Sequence, residues 1–411
     1  MSLIFVVHDA PEPAQFGAMA AILAARLHLP LAYVEPEWQL ARYPDARQHV
    51  TAAGGLVASG LIWHERLGGA PAQAVPDWRA LAELPAGRDW IIALGAAQLA
   101  ELPARLRTLA ERGVRHQLVQ VAAGARGQVF SRYGITQTDW GHWRRDDFGR
   151  WTTRAVTPPA GPALRIVLLG ARQDHWAAYP ATLAALGDAA DGRPWPVAVA
   201  FVAPQRALPL GDLLRDVDGV LLPGGSAMAN VAGQISAARY TLAHGIPTLG
   251  LCLGMQTMAT AVAQEMLGSD RVNLAEADPN AAIASFVALA DTAGLPAHRL
   301  GEQRMLCRPA SRLGTLLGPR FAVRYNHRFH LNPALKSDLE HYGLAISATD
   351  SGGSVADGIE FNRHAFYLGV QGHPELSSAP GRPHPLLTAF LAAAAIRAES
   401  RPGRRLTTRP A

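Results

Sequence analysis

Ile246-Pro-Thr-Leu-Gly-Leu-Cys-Leu-Gly-Met-Gln256 is the stretch that decides the fold: an apolar run, a cysteine between two glycines, then the first residues of a helical pattern. It reads as a buried strand turning sharply into a helix, with Gly250 and Gly254 allowing the turn and a close backbone approach. At such an elbow the Cys252 thiol stands out of the sheet at a helix N-terminus, where unpaired N–H groups and the helix dipole favour the thiolate. A cysteine in an apolar strand is usually inert core. The flanking glycines turn that reading toward a nucleophile.

Upstream of the elbow, expected strands at 164–169, 197–202 and 219–222 and expected helices at 178–186 and 231–244 alternate. With the strand 247–251 and the helix 254–267 they predict an α/β domain, a doubly wound, mostly parallel sheet. Downstream, an apolar strand at 366–370 leads into Gln371-Gly-His-Pro-Glu375. Side chains alternate along an extended segment, so His373 and Glu375 are expected to point the same way, the carboxylate orienting an imidazole that faces Cys252. Gly219-Val-Leu-Leu-Pro-Gly-Gly225 is another buried strand, ending in two glycines. Alone it is an ordinary strand-end turn; beside the elbow, its amides and the N–H of Leu253 form an expected two-donor oxyanion hole.

The first 156 residues have a different texture. All nine tryptophans lie at or before Trp195, seven of them at or before Trp151, whereas Cys252 and Cys307 lie far downstream. Apolar runs at 3–7 and 30–34 flank an alanine-rich helical stretch at 16–27, and 90–95, 96–112 and 116–121 repeat the pattern, so a second, smaller N-terminal α/β domain is expected over 1–156. Thr157-Pro-Pro-Ala-Gly-Pro162 is the expected seam, because three prolines in six residues continue neither helix nor central strand. The main domain is then 163–396, followed by an arginine-rich tail, 397–411, expected to be frayed. Asp139-Trp-Gly-His-Trp-Arg-Arg-Asp-Asp147 lacks hydrophobic periodicity and reads as a solvated surface turn more readily than as a binding loop, the alternative.

Composition excludes several classes of function. The chain has 411 residues, 49% hydrophobic and 17% charged, enough to bury a sizeable core. Its net charge of +5 comes from scattered arginines, and Lys336 is the only lysine. No nucleic-acid partner is expected from that pattern, and no phosphate loop of the G-x-x-x-x-G-K-[ST] type is present, since Lys336 follows Leu335. Two cysteines build neither a disulfide framework nor a metal cluster, so no metal and no cofactor are expected, and a reducing, cytoplasmic setting is. No apolar run approaches the roughly 20 residues of a membrane span, and Ser2-Leu-Ile-Phe-Val-Val reads as a first strand and not a leader.

In these residues the second half resembles the glutaminase domain of class I (triad) glutamine amidotransferases, and within that superfamily is most similar to the one fused to CTP synthase. The resemblance runs from about Leu164 to Ala395. It rests on Pro223-Gly-Gly, Ala237-Ala-Arg-Tyr240, the elbow, Gly301-Glu-Gln-Arg-Met-Leu306, His327-Arg-Phe-His-Leu-Asn332 and Gly372-His-Pro-Glu-Leu-Ser-Ser-Ala-Pro380, in the family's order. It implies attack of a cysteine on the side-chain amide of L-glutamine, release of ammonia, and hydrolysis of a γ-glutamyl thioester. Carried over, Cys252 is the nucleophile, His373 the general base and then acid, Glu375 its orienting partner, and Gly224 with Leu253 the oxyanion donors. Gln256, Glu276 and Arg328 would hold glutamine, Glu276 pairing its ammonium and Arg328 its carboxylate. Without the resemblance, Glu276 and Arg328 read as surface charges.

The departures are specific. The family's Pro-Gly-Gly-Phe-Gly becomes Pro223-Gly-Gly-Ser-Ala227, its more basic Arg-His-Arg-His-Arg stretch becomes Arg324-Tyr-Asn-His-Arg328, and Gly372 stands where the family has an aromatic. A full CTP synthase also has a longer, lysine-bearing ATP-dependent domain, while residues 1–155 contain no lysine. The expectation is therefore a glutamine amidotransferase subunit that passes ammonia to a partner synthetase, and not a complete CTP synthase. A stand-alone γ-glutamyl amide or peptide hydrolase with the same triad is the alternative, and a non-catalytic regulatory or scaffold protein the third. Cys307 reads as core, while His327 and His330 read equally as loop residues or substrate contacts.

Overall fold

In the computed structural model, residues 1–155, 162–204, 210–402 and 406 are described. The chain divides into two compact units. The first comprises Met1–His49, Leu56–Thr157 and Gln173–Ala184; the second comprises Val50–Gly55, Pro158–Arg172 and Ala185–Ala411. Most of the expected seam, 156–161, lies outside the described residues, and two short segments group with the unit opposite to their place in sequence. One is Val50–Gly55, where the Ala52 carbonyl accepts the Glu302 N–H at 2.8 Å within the second unit.

The first unit is built on a seven-stranded sheet. Its order is Gln73–Val75, Leu31–Val34, Trp90–Leu94, Ser2–Val7, Arg115–Gly124, Gly127–Arg132 and Ile135–Thr136. The first five are parallel and the last two antiparallel. Trp90–Leu94 is apolar along its length and buried at every position, as a strand covered on both faces must be. The segment read as a surface turn folds into short elements; its Trp140 meets Phe130 of the neighbouring strand edge to face, and its Asp146 pairs with Arg150 at 2.8 Å.

The second unit carries the α/β sheet that the elbow predicts. Nine strands run in the order Val197–Val202, Leu164–Leu169, Gly219–Leu222, Thr248–Leu251, Tyr367–Val370, Ala356–Phe361, Leu344–Asp350, Arg299–Cys307 and Arg320–His327. The five at one side pair in parallel, and four antiparallel strands extend the sheet beyond Tyr367–Val370. Helix Leu253–Leu267 lies closely on the parallel part. A Cβ on Gly250 would stand 2.4 Å from Met258 Sδ, and one on Gly254 would stand 2.1 Å from the Leu222 carbonyl oxygen. The elbow glycines are thus required by packing as well as by the turn.

Two expectations need correction. The expected helix 178–186 is displaced to Ala181–Asp191. The tail begins later than expected: helix Pro385–Ser400 continues past Arg397, whose Nη1 donates to the His244 and Gly245 carbonyls at the end of another helix. Residues 403–405 and 407–411 lie outside the described residues.

Candidate active site

The strand Thr248–Leu251 ends at Cys252, the N-cap of helix Leu253–Leu267, whose backbone is held at φ 49° and ψ −108°. A non-glycine residue in that region carries about 1–3 kcal/mol of strain, which surrounding contacts must hold in place. Here the Cys252 N–H donates to the Val370 carbonyl at 2.8 Å, tying the elbow to the end of the neighbouring strand. The thiol is buried, 3.9 Å from the Asn326 carbonyl oxygen and 3.7 Å from Gln371 Nε2.

His373 follows that neighbouring strand and lies near enough to Cys252 for the sulfur's charge to act on its ring. Its Nδ1 lies 2.9 Å from Glu375 Oε1. The pairing is the expected one, but its cause is different: Pro374–Ser377 is a 3-10 turn capped by His373, so turn geometry and not strand alternation brings the carboxylate under the ring. The His373 N–H donates to the Arg324 carbonyl at 2.8 Å, fixing the turn to an antiparallel strand. Burial pulls the imidazole's pKa down, yet the Cys252 and Glu375 charges and hydrogen bonds outweigh it and hold the ring well above its usual 6.5.

Gly224 packs against this pair. A Cβ there would lie 3.1 Å from His373 Cε1 and 3.3 Å from Cys252 Cβ, so a larger residue would crowd both. The N–H of Leu253 belongs to the first helical turn, where backbone donors lack an intrahelical acceptor. Gln256, one turn into the same helix, is buried, with Nε2 3.4 Å from Gln371 Oε1 and its own Oε1 without a partner. Glu276 and Arg328 are exposed neighbours. Desolvation raises the Glu276 carboxyl, and the Arg328 charge opposes the rise.

Gly372 has a clear structural reason. A Cβ there would stand 2.6 Å from Val323 Cγ2, so Val323 occupies the direction a side chain would take. His327 and His330 are both buried. His327 Nδ1 contacts the Phe329 carbonyl at 2.8 Å and His330 Nε2 the Thr292 hydroxyl at 2.9 Å, which makes them part of the packing. Cys307 is buried as expected, its thiol pushed up to about 11 by burial and the Asp357 charge.

Sequence reasoning missed the layer behind the turn. Arg299 and Asp357, both buried, form a two-pronged ion pair at 2.6 and 3.1 Å. The Tyr325 hydroxyl donates to Asp357 at 2.6 Å, and the guanidinium lies 4.0 Å from the Tyr325 ring centroid. Burial and the Arg299 charge hold His327 far below its usual pKa, so it is neutral. Nothing local marks Arg299 and Asp357 as partners. Gln371 was visible as the first residue of its motif, but its role depends on where the strand places it. Among the described residues no three His, Cys, Asp or Glu side chains are grouped to hold a metal, and no helix is long and apolar enough to cross a membrane.

A model of the class-I glutamine amidotransferase family matches residues 198–393. CTP synthase of Acidothermus cellulolyticus is 34% identical over 291 residues, covering 67% of this chain and 51% of that protein. CTP synthase of Chloroflexus aurantiacus is 39% identical over 188 residues, covering 44% of this chain and 34% of that protein. The chain thus spans about half, or less, of the length of these curated relatives. Among solved structures, the Trypanosoma brucei CTPS glutaminase domain with bound acivicin matches with a TM-score of 0.54 at 26% identity, covering 57% of this chain and 94% of that one.

Proposed function

We propose, from the premise that residues 198–393 form a class-I glutamine amidotransferase domain similar to the glutaminase domain of CTP synthase, that this chain hydrolyses L-glutamine through a cysteinyl thioester. The single observation that carries the reading is the Cys252–His373–Glu375 arrangement, with its strained elbow, its 2.9 Å imidazole–carboxylate contact and its raised imidazole.

In this mechanism the Cys252 thiolate attacks the side-chain carboxamide carbon of glutamine, the thiol proton having passed to His373. The oxygen that gains negative charge faces the N–H groups of Gly224 and Leu253. His373 returns its proton to the departing nitrogen, the C–N bond breaks, and ammonia leaves a γ-glutamyl thioester on Cys252. Water, deprotonated by His373, then attacks the thioester carbonyl, restores the thiol and releases glutamate. Glu375 keeps the ring oriented through both half-reactions. Gln256, Glu276 and Arg328 hold the amino-acid end of the substrate.

The ammonia goes to an acceptor enzyme. Residues 1–155 contain no lysine for a phosphate loop, which supports the reading of an amidotransferase serving a separate synthetase. Free ammonia is largely ammonium at neutral pH and diffuses away, which favours direct docking. The test is glutamate and ammonia release from L-glutamine by the purified protein, with Cys252→Ala as control, alone and with candidate synthetases. Release that needs Cys252 and rises with a partner supports the reading. A folded protein that releases nothing from glutamine but cleaves γ-glutamyl amides would replace it with the stand-alone hydrolase.

A further inference from the structure

Gln371 has no part in the mechanism above, yet it is fully buried at the centre of the site. Its backbone N–H donates to the Asp357 carbonyl at 2.9 Å, and the Asp357 carboxylate is fixed in turn by Arg299 and Tyr325. The side chain bridges two groups. Nε2 donates to Cys252 Sγ at 3.7 Å, an ordinary length for a bond to sulfur, and Oε1 accepts from Gln256 Nε2 at 3.4 Å, the long end of the range.

A primary amide has one donor end and one acceptor end, so these contacts determine each other. With Nε2 turned to sulfur, the Gln371 oxygen faces Gln256, and Gln256 must present its NH2 in return. Its own Oε1 is then left buried and unpartnered. A neutral thiol gains little from the Gln371 donor, whereas a thiolate gains a charge-assisted bond.

We propose that Gln371 is a positioning residue of this site: its amide stabilises the Cys252 sulfur as thiolate and, through the same orientation, turns the Gln256 carbonyl oxygen toward an N–H donor on the substrate. The second half of this proposal rests on the reading of Gln256 as a glutamine-binding residue; the first half stands on the geometry alone. The charged and titratable groups around the sulfur are His373 and Glu375 on the turn, with Asp357, Arg299 and His327 in the layer behind Gln371.

The experiment is alkylation of Cys252 by iodoacetamide as a function of pH in the full chain, located by mass spectrometry, together with KM and kcat for glutamine. Gln371→Met removes both polar contacts at similar volume and is expected to raise the alkylation midpoint by about one pH unit. It is also expected to raise KM roughly three- to tenfold, because Gln256 is released to turn. Gln371→Glu keeps an acceptor for Gln256 but loses the amide donor, so the midpoint is expected to rise at least as far while KM stays within about twofold. The isosteric Gln371→Glu carries the test if Gln371→Met does not fold. A wild-type midpoint in a folded variant would overturn the proposal, and so would an equal KM change in both variants. Alkylation needs no glutamine: shifted midpoints in a protein without glutaminase activity would count against the glutaminase reading, and unshifted midpoints in an active protein would count against Gln371 alone.

Discussion

Replacing Glu375 by glutamine tests the electrostatics of the site with little change of shape. The glutamine Oε1 can keep accepting the His373 Nδ1 hydrogen at about the present 2.9 Å, so orientation survives and the charge is lost. The difference between charge-assisted and neutral hydrogen bonds sets a lower bound of about 1.5 kcal/mol, and a unit charge about 4 Å away at an effective dielectric near 20 sets an upper bound of about 4 kcal/mol. These correspond to a fall in the imidazole's pKa of about one to three units and a loss in kcat of roughly 10- to 1000-fold. The assay is the pH profile of glutaminase activity, whose alkaline limb reports deprotonation of His373 and is expected to move to lower pH. A second readout has a fixed sign. A histidine raised in the folded state adds stability that is full below its unfolded 6.5 and is lost as pH climbs through the folded value. The stability difference between wild type and variant, followed by denaturant unfolding, should therefore be largest near about pH 6 and shrink as pH rises. An unmoved alkaline limb with kcat within about twofold of wild type would refute this account of the pair.

Three further outcomes follow from the same geometry. Gly372→Phe should destabilise the fold by about 1–3 kcal/mol and abolish activity, because its Cβ direction is occupied by Val323; adding Val323→Ala should recover part of both, as read by thermal unfolding and glutamate release. Asp357→Asn should cost about 3–5 kcal/mol in denaturant unfolding by leaving Arg299 buried without its counter-charge, whereas the apolar pair Arg299→Met with Asp357→Leu should be less damaging than either single change. Glu276→Gln and Arg328→Met should each raise KM for glutamine about 10- to 100-fold while changing kcat far less, as expected of groups that pair with the ends of the substrate away from the reacting carbon.

The parallel core was legible because its inner strands Gly219–Leu222 and Thr248–Leu251 are short apolar runs buried along their length, each leading into a helix. The antiparallel extension was not. Arg299–Cys307 and Arg320–His327 alternate as strands do, but their buried positions include Arg299, Gly301 and His327, which carry no hydrophobic signal. The same contrast holds in the site. Cys252 was marked by its glycines, and His373 with Glu375 by their spacing, although a 3-10 turn and not an extended strand brings them together. The Gly224 reading drew on a strand-end glycine pair, and the structure shows the local reason: a side chain there would crowd His373 and Cys252. The role of Gln371 and the Arg299–Asp357 pairing were invisible because they lie in partners 58 to 119 residues away. Local periodicity records burial, and it does not record which buried polar group faces which.

In the proposed mechanism Cys252 carries the acyl group between the two half-reactions. The most direct measurement is acid quench of the protein during turnover of L-glutamine, followed by mass spectrometry of its peptides. The prediction is a γ-glutamyl adduct on the peptide containing Cys252, accumulating in wild type and absent in Cys252→Ala. Glutamate released at full rate with no adduct at Cys252, or an adduct on another residue, would contradict it.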